Sequence, residues 1–128
     1  MSPSQIFDTY RLLDHLSHED EADFRVYVQD AYDLQDGLMA VSGLTLNLLE
    51  KHWSERKLMT MLTSCDGIAP EMLERILVGV LLVMIRYDRE IRHNTALLED
   101  LQELLTYAYF KEYFLCAELS DMLVISQR

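Results

Sequence analysis

Ten apolar residues in unbroken succession, Ile76 to Ile85, stand between Arg75 and Arg86. A run this short cannot cross a bilayer, which takes about 20 residues as a helix. Pro70 with Glu71 and Glu74 ahead of it reads as a helix start, since Pro fits the first turn and acids complement the positive pole there. The spacing predicts a helix that is apolar almost all round, and such a helix belongs at the centre of a core built from other helices. The rest of the chain supplies them. Four Gly and two Pro in 128 residues are too few for a turn-rich sandwich, and no long alternating strand pattern is bounded by turn dipeptides. Half of the residues are apolar and 26% are charged, a globular composition. The expected fold class is all-α, with six or seven helices in antiparallel pairs. They form either a HEAT-like α-solenoid fragment or an irregular bundle. Residues 1–128 read as one domain, or as a piece of a larger repeat protein.

Local signals mark the helices. Ser2 and Pro3 open the first, with Ile6, Tyr10, Leu13 and Leu16 at helical spacing. Ser17 caps a second whose first turn holds Glu19, Asp20 and Glu21, and whose apolar stripe is Phe24, Tyr27, Val28, Ala31 and Tyr32. Asp33–Gly37, polar and containing a glycine, is expected to end it. The third helix then carries Leu38, Val41, Leu44, Leu48 and Leu49, with Gly43 in its middle, where close approach of a neighbour is the usual reason for glycine. Ser54 caps a fourth, with Leu58, Met61, Leu62 and Cys65 inward, and Asp66–Gly67 ends it. After the fifth, Tyr87–Asn94 is charged and reads as a connector or a fraying last turn. Asn94 or Thr95 then caps a sixth helix through Leu97, Leu98, Leu101, Leu104 and Leu105, and a final stretch carries Phe110, Tyr113, Phe114 and Ala117.

A shift of 36 residues lays Gly43–Leu49 over Gly79–Ile85, each glycine opening an apolar half-helix that leads to a charged connector. Paired helices at that period suit an α-solenoid, where each pair buries its apolar face on the next. The segment LMAVSGLTLNLLEKHWSERKLMTML, within residues 37–62, resembles segments of large helical-repeat proteins of the tetratricopeptide or HEAT type. LERILVGVLLVMIRYDREI, residues 73–91, is similar to them as well. The resemblance covers residues 37–91 and implies a solenoid with a scaffold role. It carries no catalytic residues.

Charge narrows the partners. The chain has 22 acids against 11 bases, net −11, with net −7 over residues 1–36 and net −4 over residues 94–128. Nucleic-acid binding needs cations that displace counterions, so it is not expected. No membrane span is expected, and the lack of a signal-peptide pattern favours a cytoplasmic protein. Cys65 and Cys116 have no metal or redox spacing and read as reduced, buried thiols.

No chemistry-bearing motif is complete. Glu90 and His93 stand one turn apart, as in bundle di-iron sites, but such a site needs two of these motifs and further carboxylates. His15 and His18 straddle a helix break. Ser42–Gly43 lacks the setting of a nucleophile elbow, and Cys65 at a helix C-terminus is expected to be raised by the negative pole. The isolated glycines cradle no phosphate. Neither cofactor nor metal is expected. The leading expectation is a non-enzymatic scaffold or protein-interaction domain. The rivals are a helical-bundle metal protein or enzyme using Glu90 and His93, and an acidic regulatory protein binding a basic partner. Candidate contacts are Trp53, Arg56, Tyr87, Arg89 and Arg92 in two equivalent connectors, together with Tyr107, Tyr109 and Tyr113. The last three lie in an aromatic C-terminal helix suited to neighbouring repeats or to homo-oligomerisation.

Overall fold

The computed structural model describes residues 1–30, 33–65 and 67–106, the last three as backbone only. Its regular structure there is entirely helical: α1 (Pro3–Arg11), α2 (His18–Gln29), α3 (Leu34–Glu50), α4 (Glu55–Thr63), α5 (Pro70–Arg86), α6 (Asp88–Arg92) and α7 (Thr95–Thr106). The fold class is therefore all-α. The chain divides into two compact units, Met1–Val83 and Met84–Arg128, with the boundary inside α5.

The helix starts follow from side chains that take up the orphan backbone N–H groups of a first turn. Ser2 Oγ accepts from Gln5 N at 3.3 Å while Gln5 Oε1 accepts from Ser2 N at 2.8 Å, a reciprocal capping box with Pro3 next to it. Ser17 and Asp20 form a second such box, both bonds at 3.0 Å. Ser54 Oγ accepts from Lys57 N at 3.2 Å, and Asn94 Oδ1 accepts from Leu97 N at 3.1 Å. Past α4, Gly67 takes φ +69°, the left-handed conformation that favours glycine.

In the first unit α3 is the helix on which α1, α2 and α4 pack. Ile6 and Tyr10 of α1, Phe24 and Val28 of α2, Ala40, Val41, Leu44 and Leu48 of α3, and Leu58 and Met61 of α4 are buried. The Tyr10 ring meets Phe24 edge-on at 5.5 Å and Tyr27 at 6.2 Å. Full burial of side chains this size stabilises the fold by about 1.5–3 kcal/mol each. In the second unit α6 packs on α7, with Ile91, Leu97, Leu98 and Leu101 buried.

Three expectations are corrected. Gly37 does not end a helix; it lies in the first turn of α3, buried, with Asp33 as the cap (Asp33 Oδ1 accepts from Asp36 N at 3.3 Å). A Cβ at Gly37 would collide with the carbonyl of Tyr27 and the Met72 side chain, so the glycine serves close approach instead of termination. The connector at Tyr87–Asn94 contains the short helix α6. Finally, α5 is not buried all round. Ile76, Leu77, Val80 and Val83 are in the core, but Val78, Leu82 and Ile85 are 45%, 44% and 60% exposed. They recur at i, i+4 and i+7, a single stripe on one face.

Candidate interaction groove

The exposed stripe begins beside a helix crossing. A Cβ built on Gly79 would stand 2.5 Å from Thr45 Oγ1 and 3.0 Å from the Met61 methyl, so α5 is held against α3 and α4 only because that position has no side chain. Thr45 fits the contact because its hydroxyl turns back to the Val41 carbonyl of its own helix at 2.8 Å. On either side of this floor rise Leu46 and Leu49 from α3 and Val78 and Leu82 from α5. They enclose an open apolar groove of about 190 Å³, below the roughly 300 Å³ at which small-molecule pockets begin. At its N-terminal end Arg75 Nη1 donates to Ser42 Oγ at 2.5 Å. Beyond that bond a more open hollow is lined by Leu38, Glu71, Glu74, Arg75 and Val78.

Val78 and Leu82 lie at the surface and not in the expected core, because a continuous apolar run hides which face is outward. A signal was available: Glu71, Arg75, Val78 and Leu82 share one face at i, i+4, i+7 and i+11, and a face that begins with two charges seldom ends in a core.

The sequence-derived contact candidates are distributed as follows. Trp53 is half-buried in the α3–α4 connector. Arg56, in the first turn of α4 and exposed, pairs with Glu21 and reaches His18 Nδ1 at 3.1 Å. That hydrogen bond holds the Glu21 carboxyl below its ordinary range. Tyr87 is buried, with the Arg86 guanidinium 5.1 Å over its ring. Arg89 is exposed and its carbonyl accepts from His93 Nδ1 at 2.7 Å, while Arg92 pairs with Asp88 at 2.5 Å. The first two residues thus sit in one unit and the next three around α6 in the other. Tyr107, Tyr109 and Tyr113, and with them the proposed oligomer contact, lie outside the described residues, as does Cys116.

The most densely bonded polar cluster was not anticipated. Asn47 is fully buried, and its Nδ2 donates toward the carbonyls of Tyr10 (3.0 Å), Arg11 (3.1 Å) and Leu13 (2.5 Å). Its Oδ1 accepts from Lys57 Nζ at 2.7 Å, and the same ammonium donates to the Leu13 and Asp14 carbonyls at 3.2 and 3.1 Å. Lys51 adds a bond to the Leu12 carbonyl at 2.9 Å and pairs with Asp14 at 2.7 Å, which keeps that carboxyl below its usual range. Burial pulls Lys57 below the ordinary lysine value. Three N–H bonds are matched by three acceptors, so Lys57 has no proton free for chemistry. The cluster is a clamp on the carbonyl end of α1, where positive charge is favoured by the helix dipole.

Little else is chemically poised. Cys65 is buried and its thiol donates to the Met61 carbonyl at 3.5 Å. Burial pushes the thiol up to about 12, the expected direction, with desolvation rather than the helix pole as the cause. Among the described residues no three His, Cys, Asp or Glu side chains gather as a metal site. Nor is any helix there long and apolar enough to cross a membrane. No family model, curated protein or solved structure matches the chain.

Proposed function

We propose that the chain is a non-enzymatic helical-repeat domain of the HEAT-like kind whose α3–α5 groove is a docking surface for a protein partner. The observation that carries the proposal is the exposure of Val78 and Leu82 beside Leu46 and Leu49. Together these four side chains line an apolar trough at the surface. The repeat is supported by helix bounds: Leu34 to Pro70 and Glu50 to Arg86 are both steps of 36 residues, and α3 and α5 are both 17 residues long. Gly43 and Gly79 occupy the same register within them. A Cβ on Gly43 would collide with the Phe7 carbonyl of α1, and one on Gly79 would crowd Thr45 of α3. Each long helix therefore takes an earlier helix into its glycine notch, the stacking that a solenoid extends. A reduced, buried Cys65 suits a cytoplasmic setting.

A photo-crosslinking residue at Leu82 and one at Val26, which is 67% exposed on α2, test the assignment in cells. The expected result is a discrete adduct from position 82 alone, abolished by Val78→Asp in a chain whose circular dichroism is unchanged. Equal labelling from both positions, or stoichiometric iron, manganese or zinc in the purified protein, would overturn the scaffold assignment.

A further inference from the structure

The groove also specifies what fits it, and we infer that its occupant is an amphipathic helix of about three turns bearing Lys or Arg at the end that meets Glu71 and Glu74. This rests on the groove being a docking surface and adds the partner's chemistry. The length follows from α5, where the lining runs from Glu71 to Leu82, twelve residues that span about 16 Å of helix. A trough between two helices with an apolar floor takes the ridge of a third, whose anchors recur at i, i+3 or i+4, and i+7.

The charge follows from the rim. Glu71 and Glu74 are exposed, and neither forms an ion pair among the described residues. Arg75 is the only cation lining either hollow, and it is turned across to Ser42. A cationic helix end completes two open carboxylates there, whereas an acidic one adds like charge. The same reasoning disfavours a second copy of this chain, which brings another net −11 toward the first.

Two fluorescein-labelled designed peptides test this against the full chain by anisotropy. Both are 14-residue amphipathic helices with Leu at i, i+4, i+7 and i+11; one carries three Lys at the end facing Glu71, the other three Glu. The basic peptide is expected to bind roughly tenfold or more tighter, by an increment that shrinks at high salt. Glu71→Lys with Glu74→Lys should invert the preference, and Val78→Asp should abolish binding of both peptides. Equal binding of the two peptides, with the Lys double variant indifferent, overturns the basic partner while leaving the groove as a docking surface. Self-association lost in Val78→Asp, with no peptide bound, replaces the basic partner by a second copy. If no peptide binds and the chain stays monomeric, the inference fails; the crosslink at Leu82 then decides separately whether the docking surface fails with it.

Discussion

Replacing Asn47 with alanine removes the hub of the clamp without changing any apolar contact of comparable size. The variant loses the donors to the Tyr10, Arg11 and Leu13 carbonyls and the acceptor of Lys57 Nζ. Water can reach the partly buried Arg11 and Leu13 carbonyls, so their loss is largely offset. The Tyr10 carbonyl bond is buried, and so is the bond from Lys57, a charged donor. An orphaned buried group costs about 1–3 kcal/mol, more for a charge, so the two together come to about 3–4 kcal/mol. That is a large fraction of the 5–15 kcal/mol typical of a whole domain. Trp53, the single tryptophan, lies in the same unit and reports its unfolding by fluorescence in urea. With a slope of about 2 kcal/mol per molar, the midpoint should fall by roughly 1.5–2 M. Asn47→Asp is the sharper control: a carboxylate keeps Lys57 but has no N–H for the three carbonyls, so it should be no more stable than the alanine variant. A loss below 1 kcal/mol for alanine, or an aspartate variant as stable as the parent, would refute the clamp.

Two further outcomes follow from the packing. Gly79→Leu should overpack the crossing at Thr45 and Met61 and cost about 3 kcal/mol, read as a lowered Tm; parent-like melting would mean that the helices do not meet there. Cys65, raised by burial to about 12, gives stability that is complete below its unfolded value near 8.5 and is lost as pH rises from there through about 12. Tyr10, also raised by burial, adds in the same sense, and the lowered Lys57 works in the opposite one. Cys65→Ala leaves both unchanged, so its urea midpoint should fall less than the parent's between pH 8 and pH 10.5. Identical falls would place the thiol outside the core.

What could be read from the residues was what depends on neighbours in sequence. Ser2, Ser17, Ser54 and Asn94 cap helices through bonds three residues long, and Pro70 begins one because its ring fits a first turn. Gly37 misled because glycine serves two ends: it stops a helix, or it admits another chain segment, and only the Tyr27 carbonyl lying against it tells which. Val78 and Leu82 misled because exposure belongs to the assembled unit, not to the run of letters. The Asn47–Lys57 clamp joins residues 10 to 44 positions apart, beyond any local pattern. Its one trace was a carboxamide flanked by Leu46 and Leu48.

Distance along the chain gives the clamp a consequence in time. The carbonyl end of α1 and the turn after it are closed by Asn47, Lys51 and Lys57, all of which leave a ribosome more than thirty residues later. During synthesis that first turn has only water for its terminal acceptors until the end of α3 emerges, and the Leu13 and Asp14 carbonyls lack their Lys57 partner until α4 follows. The N-terminal segment therefore waits, half-finished and open to chaperones or proteases, for a lysine made seconds afterwards.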